Sequence, residues 1–126
     1  MPGERFVIFG TPNDTPIATA VAEGFPAGRV ENLAGKTDLL TFVDRLRDTR
    51  LLVTNDTGGM HLANILGVPL LVLFGPTNPL RTGPVFDAPF TLLQSPDASP
   101  TGGGNLATLS PDQVMAKIRD LLAAAQ

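Results

Sequence analysis

Short apolar runs alternate with helix-forming segments along the chain, and this alternation is what most limits the fold. Five runs have the length and residue types of strands: RFVIFG, RVENLA, LLVTND, LLVLFG and FTLLQS. Apolar residues at helical spacing occur between these runs and after the last one. Strands that alternate with helices predict a parallel sheet with right-handed crossovers and helices on both faces. The predicted fold is therefore α/β: a single Rossmann-like domain over residues 1–126, a doubly wound three-layer sandwich with about five strands.

Capping residues mark where the predicted helices begin and end. The last helix has the strongest signal, because Ser110 stands as N-cap, Pro111 takes the first helical position and Gln113 follows three residues after the cap. The segment SPDASPTGGGN is rich in Gly, Pro and Ser and is predicted to be a mobile surface loop. Weaker signals delimit the other helices: caps at Asn13 or Asp14 and at Thr37 or Asp38, and ends at Gly24 and Gly67.

Two of these helices have apolar residues that predict which face meets the core. The predicted core faces are Ile17, Ala20 and Val21 in the first helix, and Leu62, Ile65 and Leu66 in the third.

Composition excludes several classes of function. The chain has a formal net charge of -3 and no cluster of Lys and Arg, so nucleic acid is not a predicted partner. With no cysteine and one histidine, it has no disulfide or thiolate chemistry and too few ligands for an all-protein zinc site, so no metal is predicted. No signal peptide opens the sequence, and the longest apolar run, ILGVPLLVLFGP, is too short to span a bilayer. The predicted location is the cytoplasm.

The stretch VTNDTGGMHLANILGVPLLVLFGPTNPLRTGP contains the only histidine of the chain. Asp56 falls at the end of a predicted strand, and the turn Thr57-Gly58-Gly59 opens the next helix, where free backbone N–H groups and glycines suit an anion. Thr57, His61 and Asn64 are predicted to share one helix face. A phosphate at the turn would favour the protonated imidazole. Spacing alone supports equally the alternative of a surface histidine behind an ordinary Gly-containing turn.

The same stretch resembles the signature of the heptosyltransferase family, glycosyltransferase family nine. That signature is an Asp-Ser/Thr-Gly-x-x-His-x-Ala step followed by a Phe-Gly-Pro-Thr-x-Pro turn. The similarity runs from about Arg5 to Pro84, through FVIFGTPND and NLAGKTDLLTFVDRL, and more faintly into the final helix. The resemblance implies the GT-B architecture, in which two Rossmann-like domains flank a cleft. This chain resembles most of the C-terminal domain, which holds the nucleotide-sugar donor.

The resemblance also implies roles for individual residues. The implied donor-binding residues are Thr57, Gly58, Gly59 and His61 at the diphosphate, Asp56 near the transferred sugar, Asp14 at the ribose, Lys36 and Thr37 at the base, and Thr77 on the far side of the pocket. Three of them have alternative roles that involve no ligand. Lys36 is then a solvated loop lysine, Asp14 is a helix cap only, and Thr77 stabilises its own turn through a side-chain hydrogen bond.

Members of the family transfer a sugar with inversion at its anomeric carbon and use neither a metal nor a cofactor. Their usual donor is ADP-heptose. His61 would support the departing diphosphate, while the base lies in an N-terminal acceptor domain that this sequence lacks. The family's leading strand and helix, with a basic residue that reaches the phosphates, also have no counterpart here. The chain is therefore expected to be a truncated half, inactive alone, whose missing partner domain binds a lipid-linked saccharide acceptor at the inner face of the membrane.

Without the leading strand, RFVIFG and LLVTND are predicted to pair directly, giving the strand order 2-1-3-4-5. The main alternative function is a stand-alone nucleotide or phosphosugar binding module without transfer activity. A phospho-receiver domain is a weaker alternative, because the loops GTPND and QSPDAS lack its acidic pair and its lysine. A flavodoxin-like electron carrier is weaker too, because the chain has neither Trp nor Tyr to stack on a flavin.

Overall fold

The computed structural model describes residues 4–55, 57–76 and 89–124. The chain divides into two compact units, Met1–Phe42 and Val43–Gln126. We call them the N-terminal unit and the C-terminal unit and describe each by itself.

The N-terminal unit contains two parallel strands and the helix that connects them. The strands are aligned in register from Phe6 opposite Val30 to Ile8 opposite Asn32. Its packing includes two aromatic pairs, Phe6 with Phe25 and Phe9 with Phe42, whose ring centroids lie 5.1 Å and 5.0 Å apart. The elements are β1 (Phe6–Ile8), a short 3-10 helix (Pro12–Asp14), α1 (Thr15–Glu23) and β2 (Val30–Asn32), followed by α2 (Leu39–Arg47), which runs across the boundary between the units.

The C-terminal unit contains a parallel three-stranded sheet in the order β3-β4-β5. The central strand β4 is buried along most of its length, and Leu71, Val72 and Phe74 are fully inaccessible to solvent. Leu46 and Met60 complete this core from α2 and α3. The elements are β3 (Leu52–Asn55), α3 (Gly58–Leu66), β4 (Leu70–Phe74), β5 (Phe90–Gln94), a short 3-10 helix (Leu106–Thr108) and α4 (Pro111–Ala124).

These elements confirm the predicted α/β class, its parallel strands and its five strands. The orders β1-β2 and β3-β4-β5 agree with the two ends of the predicted order. The predicted neighbourhood of β1 and β3 would join the two units and stays a prediction.

Two predicted helix caps are confirmed by hydrogen bonds. The backbone N–H of Ser110 donates to Gln113 Oε1 over 3.1 Å, and the backbone N–H of Gln113 donates to Ser110 Oγ over 3.2 Å, which is a reciprocal capping box. At the start of α2, the backbone N–H of Thr41 donates to Asp38 Oδ1 over 2.8 Å. This bond, with a second one to the Thr41 side chain, lowers the pKa of the Asp38 carboxyl.

The predicted faces of two helices need correction. In α1 only Ala18 is buried, whereas Ile17 is 71% exposed and Val21 is 50% exposed. In α3 the buried residues are Met60, Ala63 and Asn64, whereas Ile65 is 58% exposed. Apolar spacing identified both helices correctly but assigned the wrong apolar residues to the core. The partner surface decides which apolar stripe is covered, and a sequence pattern does not contain that surface.

The segment after β5 was expected to be mobile, yet its backbone is bonded to the end of β4. Gly104 N–H donates to the carbonyl of Gly75 over 3.0 Å, and Gly103 N–H donates to that of Pro76 over 3.1 Å. The Asp97 carboxylate accepts the backbone N–H of Asn105 at 3.0 Å from Oδ1. These bonds hold the glycine-rich loop against the turn that follows β4.

The described ranges contain neither a membrane-spanning helix nor a cluster of metal-binding side chains. None of the helices in residues 4–55, 57–76 and 89–124 combines the length and the apolar content needed to cross a membrane. Over the same ranges, no group of three or more His, Asp and Glu side chains is placed to hold a metal ion.

Candidate functional site

The candidate phosphate-binding turn opens α3, directly after β3. Thr57 is the N-cap, with an extended backbone of φ -143° and ψ 170°, and its hydroxyl accepts the backbone N–H of Met60 over 3.4 Å. A second hydroxyl, that of Thr54 on β3, lies 3.4 Å from the Thr57 hydroxyl. The helix ends at Gly67, whose φ of 77° is a left-handed conformation that suits glycine. The Thr57 side chain therefore caps the start of α3, which was not predicted from the sequence, and the helix runs from Gly58 to Leu66 as predicted.

Among the described residues, Gly58 leaves open space in front of this helix. It is exposed, and a Cβ atom built on it would meet no heavy atom of those residues within 4 Å, apart from its chain neighbours and the adjacent helix backbone. Packing within the described part of the chain therefore does not require glycine at this position. The first N–H groups of a helix lack intrahelical acceptors and carry partial positive charge, so a bound anion would be stabilised here.

His61 lies one turn further along α3 and is half-buried. Its backbone N–H donates to the carbonyl of Thr57 over 3.4 Å, which places the histidine one helical turn after the cap. The predicted common face of Thr57, His61 and Asn64 is only partly present, because Asn64 is 1% exposed whereas Thr57 is exposed. Asn64 follows the buried Ala63 on α3, so it lies on the packed side of the helix and is not available to a ligand.

In the N-terminal unit, the candidate ribose ligand Asp14 is held by the turn that precedes α1. Its Oδ2 accepts the backbone N–H of Thr11 over 2.8 Å and the hydroxyl of the same residue over 3.0 Å. Both side chains are exposed. Asp14 occupies the N-cap position of α1, but its side chain makes no cap hydrogen bond to that helix and bonds back to Thr11 instead. Both bonds go to Oδ2, so Oδ1 receives neither bond from Thr11.

The candidate base-binding loop is attached to the same turn. Gly35 N–H donates to the carbonyl of Gly10 over 2.8 Å, and Lys36 N–H donates to that of Leu33 over 2.9 Å. Gly35 has a φ of +72°, and a Cβ atom there would lie 3.0 Å from the Cα of Pro12. Lys36 is exposed and Thr37, which follows it, is half-buried. The loop therefore lies beside the turn that carries Asp14, and glycine permits both the backbone angle and the close approach.

The predicted site residues fall into two groups. Asp14, Lys36 and Thr37 belong to the N-terminal unit, and Thr57, Gly58, Gly59 and His61 belong to the C-terminal unit. Within each group the residues are neighbours in the fold. Asp56 and Thr77 lie outside the described residues.

Two residues of the first group were missed in the sequence. Thr11 was not identified, although a threonine three residues before an aspartate at the start of a helix is a known capping pattern. Gly35 was not identified either, because its contact with Gly10 joins residues distant in sequence. The spacing of the capping pattern would have identified Thr11. No pattern of neighbouring residues would have identified Gly35.

The sequence pattern of glycosyltransferase family 9 (heptosyltransferase) matches residues 3–101. The chain belongs to this family. It is 32% identical over 133 aligned residues to lipooligosaccharide heptosyltransferase 2 of Haemophilus influenzae, an alignment that covers 96% of this chain and 38% of that protein. It is 34% identical over 86 residues to lipopolysaccharide heptosyltransferase 2 of Escherichia coli K12, covering 66% of this chain and 25% of that protein.

Solved structures of family 9 members have the same fold over nearly the whole chain. The E. coli ADP-heptose LPS heptosyltransferase II aligns with a TM-score of 0.82 and 27% identity over 95% of this chain and 37% of that one. The E. coli heptosyltransferase WaaC with ADP aligns with a TM-score of 0.77 and 27% identity over 94% of this chain and 34% of that one. The chain thus spans under two fifths of the length of the relatives it matches.

Proposed function

We propose that this chain is the donor-binding domain of an inverting glycosyltransferase and that its ligand is a nucleotide-diphosphate sugar. The observation that carries the proposal is the open, N-capped start of α3, where a family 9 signature places Thr57, Gly58 and Gly59 ahead of His61. A diphosphate carries two or more negative charges, and the start of a helix attracts them because its first N–H groups have no intrahelical acceptors. The named ligand of a related structure, ADP, is of the same chemical class.

The proposed ligand contacts are divided between the two groups of residues. The helix start and His61 bind the diphosphate, and Asp56 lies near the transferred sugar. Asp14 accepts hydrogen bonds from the ribose hydroxyls, Lys36 and Thr37 border the base, and Thr77 lines the pocket. ADP-heptose is the proposed donor, in keeping with the named substrate of the related E. coli enzyme.

The proposed chemistry is stabilisation of the departing nucleoside diphosphate. Negative charge accumulates on the diphosphate as the bond to the anomeric carbon breaks, and fixed N–H donors aimed at that charge lower the barrier. A protonated His61 adds a charge-assisted donor in the same place. This chemistry uses no metal and no cofactor.

Transfer also requires a base for the acceptor hydroxyl, and we assign that base to a second domain that binds a lipid-linked saccharide. The relatives that this chain matches are about two and a half times its length, which leaves room for such a domain. We therefore propose that these 126 residues do not transfer sugar without that domain. The proposed place of action is the cytoplasm, at the inner face of the membrane.

A stand-alone nucleotide or phosphosugar binding module is the second candidate. It would use the same capped start of α3 to bind the phosphate groups of its ligand. The two candidates use the same proposed ligand-binding residues and differ in whether a partner domain restores transfer.

The test is a calorimetric titration of the purified chain with ADP, UDP, GDP and ADP-heptose, followed by an assay with a separately expressed acceptor domain. We expect ADP-type ligands to bind and His61→Ala to weaken their binding by about tenfold or more, since a charge-assisted hydrogen bond contributes about 1.5–3 kcal/mol. Transfer restored by the added domain would support the enzyme, and binding without restored transfer would support the module. No binding by any nucleotide would contradict both.

A further inference from the structure

The turn before α1 holds an arrangement that the proposed ligand contacts do not explain. Thr11 gives both of its donors, the backbone N–H at 2.8 Å and the hydroxyl at 3.0 Å, to the same oxygen of Asp14, Oδ2. A cap needs only one of these bonds to satisfy the N–H of residue 11. The hydroxyl of Thr11 has solvent available to it, since both side chains are exposed, and yet it points at the carboxylate.

The number of acceptor positions makes this arrangement informative. An ionised carboxylate has about four lone-pair positions, two on each oxygen. The two bonds from Thr11 fill those of Oδ2 and leave the two positions on Oδ1. A vicinal diol presents two hydroxyl donors, so Oδ1 matches one ribose ring.

We infer that Thr11 is a positioning residue: its hydroxyl orients the Asp14 carboxylate so that Oδ1 accepts the vicinal diol of a ribose. The inference rests on the proposed function, because it assigns the same ligand to Asp14. It adds a residue that touches no ligand and acts through the carboxylate alone.

The surroundings of Asp14 restrict the carboxylate further. A Cβ atom built on Gly10 would lie 3.0 Å from Asp14 Oδ2 and 3.4 Å from the Cβ of Ala34, so the backbone of Gly10 lies close under this side chain. Gly10 in turn accepts the N–H of Gly35 over 2.8 Å. The carboxylate is therefore oriented by Thr11 from one side and lies against the Gly10 turn on the other, before any ligand arrives.

The test compares ADP with 2′-deoxy-ADP, which lacks one hydroxyl of the diol, in the wild-type chain, Thr11→Val and Thr11→Ser. Valine has the shape of threonine and keeps the backbone N–H bond but loses the hydroxyl bond. We expect the preference for ADP over 2′-deoxy-ADP to fall by about three- to tenfold in Thr11→Val, the range of one hydrogen bond, and to stay near the wild-type value in Thr11→Ser. Asp14→Asn marks the preference that remains when the carboxylate is removed.

The ratio of the affinity for ADP to the affinity for 2′-deoxy-ADP shows whether Thr11 positions the carboxylate or only stabilises the turn. If Thr11 only stabilised the turn, Thr11→Val would weaken both nucleotides equally and leave their ratio unchanged, and this outcome would overturn the inference while leaving the proposed function standing. Absence of any nucleotide binding by the wild-type chain would overturn the proposed function and this inference together. A ratio that falls in Thr11→Val and recovers in Thr11→Ser supports both.

Discussion

The backbone N–H of Gly35 donates to the carbonyl of Gly10 over 2.8 Å, and this one bond fastens the candidate base-binding loop to the candidate ribose-binding turn. The two residues are far apart in sequence, and they meet because β1 and β2 are parallel neighbours whose following loops leave the same edge of the sheet.

Gly35→Ala should destabilise the chain more than Gly28→Ala does. Both glycines have left-handed backbones, with φ of +72° and +82°, and each alanine costs about 1–2 kcal/mol for that angle. At Gly35 the new Cβ also lies 3.0 Å from the Cα of Pro12, whereas at Gly28 it meets no atom of the described residues within 4 Å. Urea unfolding of the two variants measures the extra cost of the contact. Equal losses would show that the loop and the turn separate freely.

Gly58→Val should abolish or strongly weaken nucleotide binding while the chain stays folded. None of the described residues occupies the space in front of Gly58, so valine meets no neighbour among them but takes the position proposed for the phosphate. Gly58→Ala provides a smaller obstacle and should show an intermediate loss. Affinity is measured by calorimetry and the fold by circular dichroism. Normal ADP binding by a folded Gly58→Val variant would place the phosphate elsewhere.

Met60→Ala should cost about 2–5 kcal/mol of unfolding free energy, because Met60 is fully buried and its removal leaves a cavity. Ile65→Ala on the same helix should cost well under half as much, since Ile65 is 58% exposed. The pair is matched in helix and in the size of the deletion. A larger loss in Ile65→Ala than in Met60→Ala, measured by chemical denaturation, would mean that α3 packs through the face first predicted from its apolar spacing.

Asp97→Asn should reduce the dependence of stability on acid pH. The backbone N–H of Asn105 and the hydroxyl of Thr108, at 3.0 Å and 2.9 Å from Oδ1, lower the pKa of the Asp97 carboxyl below its ordinary value of 3.8. A lowered folded-state pKa gives stability that is present above the unfolded-state pKa and is lost as pH falls through the folded-state pKa.

The difference in unfolding free energy between wild type and Asp97→Asn should therefore shrink as pH falls from about 6 to about 3. Urea unfolding at each pH measures this difference. Asp44→Asn, which removes an exposed carboxylate from α2, is the control. A difference that is constant with pH would show that ionised Asp97 does not stabilise the folded loop.

The sequence by itself determined the features that depend on neighbours within one turn of chain. The capping box of Ser110 and Gln113, the Asp38 cap and the ends of α3 at Gly58 and Leu66 all follow from local hydrogen bonding and backbone angles. The strand positions and the α/β class follow from apolar periodicity. The family signature around Thr57 and His61 is equally local, so the candidate phosphate turn was found without any structure.

Only the tertiary structure decided which apolar stripe of α1 and α3 is covered, since Ile17 and Ile65 are exposed and Asn64 is buried. It also decided that Gly35 meets Gly10. Each of these outcomes depends on surfaces and backbone groups contributed by residues far away in sequence. A helix or strand pattern records how much apolar surface an element has, and the elements packed against it select which part of that surface is buried.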